Sequence, residues 1–92
     1  MNNDYYVEQD FNLDAQLIQP SIKTQVLNGI KQRITDQYLS TENKDILAVL
    51  DAQTQIIEDA YKIDMYKFQF KLLINILNKE LDNIKTILLY EM

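Results

Sequence analysis

No cysteine, histidine or tryptophan occurs in the 92 residues. Disulfide scaffolds, zinc fingers, thiol chemistry and every histidine-based triad are thereby excluded. Glycine occurs once (Gly29) and proline once (Pro20). Strand-rich folds need many turns, and turns consume both residues, so the chain reads as helical. A single glycine also leaves no phosphate-binding loop. The longest strongly apolar run is Leu72–Leu77, and it contains Asn75. That is far short of the ~20 residues of a membrane span. The N-terminus MNNDYYVEQD has neither a basic region nor an apolar one, unlike a secretory signal. A cytoplasmic protein without membrane contact is expected.

What is present is an ordinary globular balance: 47 % hydrophobic and 25 % charged residues, with a net charge of −5. One domain is expected from the length. The acidic sign argues against a protein that wraps nucleic acid. Lys62, Lys67, Lys71, Lys79 and Lys85 are spread around the chain and alternate with Asp64, Glu80 and Asp82. No dense basic stripe forms, so a nucleic-acid-associated regulator is the weakest of the readings kept.

Residues 1–19 read as an acidic arm or short helix, running from about Asp10 or Asn12 to Ile18 if helical. Residues 20–92 read as the helical domain. Pro20 and Ser21 suit the first turn of a helix. Ile22, Val26, Ile30, Ile34 and Tyr38 then recur every four residues, which predicts an amphipathic helix over about 21–39. Ser40 or Thr41 is the expected cap of the next helix, beginning near Glu42.

From there a 3-4 apolar repeat runs in one phase: Ile46, Val49, Gln53, Ile56, Ala60, Ile63, Lys67, Phe70, Ile74, Leu77, Leu81, Ile84 and Leu88. Eleven of the thirteen are apolar, where a 47 % background predicts about six. This is the seam of a coiled coil or of a bundle helix, and the apolar flanks Leu50, Ile57, Leu73 and Ile87 favour the bundle. The fold class expected is therefore all-α. It is a helical hairpin or bundle with a long C-terminal helix over about 42–91, a break near 64 being the alternative.

Geometry sharpens that choice. A helix over 42–91 is about 75 Å long, whereas one over 21–39 is about 28 Å. The shorter cannot cover the longer. Either a second chain covers the remainder, as a homo-oligomer or a larger partner, or the long helix folds back. Candidate breaks are Gln53–Gln55, Asp64 and Asn75–Asn78, none with a glycine or proline. The unbroken helix with a companion chain is the expectation.

Chemistry is sparse. Asp51, Glu58, Asp59 and Asp64 are the clustered acids of the helical half, and Asp45 shares a face with Asp59. A solvated acidic face explains them without catalysis. Lys67 falls on the seam, where a lysine normally runs its stem along apolar surface. No enzyme, small-molecule substrate, cofactor or metal is expected. The positive signals point to protein–protein contact. Six of the nine aromatics are tyrosine, a residue enriched at interfaces. Tyr5, Tyr6 and Phe11 stand in the acidic arm as candidate anchors, and Ile74, Leu77, Leu81, Ile84 and Leu88 form the candidate helical contact surface. An inhibitor, adaptor or immunity-type protein acting by occlusion fits, as does a structural component of a larger assembly such as a virion.

Overall fold

A computed structural model describes residues 15–91. Among the described residues three helices form an up-down-up bundle: α1 (Pro20–Tyr38), α2 (Lys44–Lys62) and α3 (Lys67–Glu91). The all-α bundle and the long C-terminal helix are as the apolar periodicities predict. The seam, however, does not support one helix from 42 to 91. It is interrupted at residues 63–66, the Asp64 candidate, while residues 53–55 and 75–78 stay helical.

The boundaries follow local chemistry. Gln19 is extended because it precedes proline, and Pro20 occupies the first turn of α1, where its missing N–H costs nothing. At the other end Ser40 Oγ donates to the Asp36 carbonyl at 2.7 Å, and the backbone turns. The cap of α2 is neither Ser40 nor Thr41. Asn43 takes that place, its Oδ1 accepting from the Asp45 and Ile46 amides at 3.0 and 3.3 Å. Thr41 Oγ1 instead accepts the Asn43 amide, one step upstream. At the start of α3, Gln69 Oε1 reaches back to the Tyr66 amide at 3.1 Å, half of a capping box.

The break between α2 and α3 contains no glycine and no residue of positive φ. Tertiary contacts hold it. Ile63 is extended, and Gln16–Ile18 lie beside Met65–Lys67 as a single antiparallel bridge. The Ile18 amide donates to the Met65 carbonyl and the Lys67 amide to that of Gln16, both at 2.8 Å. Lys23 Nζ donates to the carbonyl of Ile63 and lies 3.5 Å from that of Tyr61. A buried ammonium thus serves the carbonyls that the end of α2 leaves without helical partners. Residues 15–18 are accordingly not helical, in contrast to the short helix expected through Ile18. Their backbone groups are committed to the bridge.

Helix α1 lies against both others. It runs antiparallel to α2, shown by Lys31 with Glu58 and Asn28 with Tyr61. It runs parallel to α3, shown by Arg33 with Asn78 and Asp82, and by Gln37 Nε2 on the Leu81 carbonyl. The core is Leu27, Ile30 and Ile34 from α1, Ile46, Leu50, Ile57 and Ala60 from α2, and Phe70, Leu77, Leu81 and Ile84 from α3. Each aliphatic side chain buried there stabilises by roughly 1.5–3 kcal/mol. The four-residue repeat of α1 is only partly used. A spacing of four advances 40° per step round a helix, so Ile22 and Tyr38 at its ends drift off the core face and are exposed, while Leu27 enters.

Candidate functional site: the open face of helices α2 and α3

The seam residues of α3 turn inward. Leu77, Leu81 and Ile84 are buried in the chain's own core, and Ile74 and Leu88 are partly buried against it. They are brought together as one row that packs into the core shared with α1 and α2. The arm residues Tyr5, Tyr6 and Phe11 lie outside the described residues.

What stays exposed is a second apolar row, made of off-seam residues on α3 and of seam residues on α2. On α3 it comprises Phe68, Leu72, Ile76 and Ile87, each about half exposed. On α2 it comprises Val49, Ile56 and Ile63, seven residues apart and also about half exposed. These belong to the seam by sequence. Yet α2 buries Ile46, Leu50, Gln53, Ile57 and Ala60 instead, so its core face is rotated away from them.

One hydrogen bond relates the two rows. Gln53 Nε2 donates to Glu80 Oε2 at 2.7 Å, joining α2 to α3 across their shared side. On α2, Gln53 lies between the core residues and the Val49–Ile56–Ile63 row. On α3, Glu80 lies between the core and Ile76, four residues before it, and Ile87, seven after it. Both rows therefore flank the same junction, on the side away from α1. Among the described residues nothing covers the face they make, because α1 packs on the other side. A signal for it was available in the sequence: Leu72, Ile76 and Ile87 repeat at helical spacing off the seam.

Gln53 itself is almost wholly buried, with 1 % of its surface exposed, and its Oε1 has no hydrogen-bond partner. It is one of the two polar exceptions in the apolar repeat, the other being Lys67, and it is held at the level where α2 and α3 meet. Asn43 Nδ2 donates to Glu91 Oε1 at 2.9 Å and ties the far end of the same pair.

Several charged residues are engaged in structural contacts. Lys31 Nζ is 2.8 Å from Glu58 Oε1 and 5.9 Å from the centre of the Tyr61 ring. The hydrogen bond it donates to Glu58, and then the charge of that carboxylate, hold its ammonium above the usual lysine range. Arg33 spans Asn78 at 2.6 Å and Asp82 at 2.8 Å. Lys67 is half-buried, 3.5 Å from Gln16 Oε1. Asp45, Asp51, Asp59 and Asp64 are exposed, and Gln55 Nε2 donates to Asp59 at 3.0 Å. Among the described residues no cluster of acids could hold a metal ion, and no helix is long and apolar enough to cross a membrane. No family model, curated protein or solved structure matches the chain.

Proposed function

We propose that this chain is a non-enzymatic interaction protein that works by helix packing, offering the open α2–α3 face to another protein surface. The observation that carries this reading is the row of half-exposed aliphatics, Val49, Ile56 and Ile63 with Leu72, Ile76 and Ile87, on one side of a bundle whose core is closed on the other. Isolated exposed apolar residues are ordinary, but contiguous rows on adjacent helices mark contact surfaces. Occlusion of a partner's site is the mode that suits such a face: the surface is apolar, elongated and presented on rigid helices. An inhibitor, adaptor or immunity-type role follows from it, and cytoplasmic residence belongs to the same reading.

The test is affinity capture from the native host with wild-type protein and with Ile76→Asp. Because Ile76 is 55 % exposed, the variant should keep the helical content and melting temperature of the wild type. Loss of a dominant captured protein in the variant supports the reading. Identical capture by both proteins rejects it. A component of a larger assembly would differ visibly, by sedimenting as high-mass material when produced alone.

A further inference from the structure

We infer that the occupant of the open face is a second copy of this chain, the two copies related by a two-fold axis parallel to the helices. The inference rests on the interaction reading above and names its partner.

Size is the first argument. The face is about 28 Å long, the length of α2, and about two helix diameters wide. That is on the order of 600 Å² in projection, the scale of the ~800 Å² per partner in a standard interface.

Charge is the second. Helix α2 carries Asp45, Asp51, Glu58 and Asp59 against Lys44 and Lys62, so it is net acidic. Helix α3 carries Lys67, Lys71, Lys79 and Lys85 against Glu80, Asp82 and Glu91, so it is net basic. A two-fold axis parallel to the helices lays α2 of one copy on α3 of the other. All four neighbours are then antiparallel, as in a four-helix bundle. The alternative axis, across the helices, would stack acidic on acidic and basic on basic. Self-repulsion is small as well: Asp4, Glu8, Asp10 and Asp14 account for four of the five net negative charges, leaving the three-helix body close to neutral.

Register is the third. The Gln53–Glu80 and Asn43–Glu91 contacts set the heights of α2 and α3. Counting along the two antiparallel helices from these contacts, Ile56 is level with Leu77 and Asn78, within one turn of Ile76, and Asp59 is level with Ile74 and Asn75. The proposed rotation preserves height, so Ile56 lies within one turn of the partner's Ile76. Asp59 falls about one turn from the partner's Lys79. Apolar thus meets apolar while the outer acid meets an outer base.

The absence of native cysteine makes the test direct. Full-length chains carrying Ile56→Cys or Ile76→Cys alone are mixed in equal amounts and oxidised mildly. The mixed 56–76 disulfide should exceed both same-site disulfides. Light scattering of the wild type should give twice the chain mass of 10.9 kDa, and Ile76→Asp should raise the dimer dissociation constant by at least ~10-fold with helicity unchanged. A wild-type monomer at every accessible concentration overturns the inference, as does a dominant 76–76 disulfide. Cross-linking of Phe11→Cys to Ile76→Cys within a monomer overturns it too, and assigns the face to the chain's own first residues. If a monomer still captures a host protein in an Ile76-dependent way, only the second copy is refuted. If Ile76→Asp changes neither mass nor capture, the interaction reading falls with it.

Discussion

The apolar repeat from Ile46 to Leu88 has two halves, and the bundle uses them differently. In α3 the repeat is the core: Phe70, Leu77, Leu81 and Ile84 are buried and Ile74 and Leu88 partly buried. In α2 only Ile46, Gln53 and Ala60 of the repeat go inside, joined by Leu50 and Ile57 from its flank. The other row, Val49, Ile56 and Ile63, looks out. The difference lies in the neighbours. Both halves have one wide stripe, but α1 meets α3 on the seam and meets α2 on the flank, through Glu58 and Tyr61. A periodic apolar stripe thus states how much surface must leave water. Which neighbour takes which edge of the stripe is settled by the crossing of the helices.

The most forceful way to break this comparison is a matched pair of truncations. Leu81→Ala should cost about 2–5 kcal/mol, because a fully buried leucine leaves a cavity. Ile56→Ala, at a site 43 % exposed, should cost the folded chain less than about 1.5 kcal/mol. Urea titration of both variants measures the gap, and equal losses would mean that the two halves are packed alike. Next in size is the break itself. Lys23→Ala removes the donor to the Ile63 carbonyl and should destabilise by about 1–3 kcal/mol. The loss should be accompanied by faster hydrogen exchange at Ile18 and Lys67, whose amides form the adjoining bridge.

Two substitutions should go the other way. Gln53→Leu replaces a buried amide whose Oε1 has no partner, and Glu80, being exposed, stays hydrated without it. A gain of about 1 kcal/mol in thermal or urea unfolding is expected; a loss would show that the amide is better satisfied than its surroundings indicate. Gly29→Ala should add about 0.5–1 kcal/mol, since Gly29 is exposed in the interior of α1 and no neighbouring atom lies within 4 Å of the new methyl group. Calorimetry would read this as a rise of a few degrees in Tm.

The smallest effect concerns pH. Lys31 has its folded-state pKa raised by Glu58, so the ammonium is favoured in the folded state. The contribution is fully present below the ordinary lysine value of 10.5 and fades as pH rises through the raised one. Comparing wild type with Lys31→Met, the difference in Tm should be constant from pH 7 to about 9.5 and shrink at more alkaline pH. A difference that instead grew with alkalinity would contradict the sign.

Much of the architecture was legible beforehand, for reasons that particular residues make plain. Pro20 marks the start of α1 because its φ and missing N–H are tolerated only there. The seam predicts the buried row of α3 almost residue for residue, since 25 helical residues average out local irregularity. The cap of α2 was displaced by two residues or more, from Ser40 or Thr41 to Asn43, because all three side chains can accept a backbone amide and only the entry angle of the helix selects among them. The open face was not legible as a site. Ile76 and Leu72 look like surplus width of a bundle stripe until it is known that α1 approaches from the opposite side.

Composition and period alone determined that this chain is helical, that its second half carries a broad apolar stripe, and that α1 is too short to cover that stripe laid out straight. Those are properties of side-chain order, and they hold whatever the packing. Only the tertiary structure decided that the stripe is folded at Asp64, and not at Gln53–Gln55 or Asn75–Asn78, because none of the three candidates carries a glycine or proline. The bend is held by a lysine 40 residues away and by a bridge to Gln16–Ile18, contacts that come into being only when the helices meet.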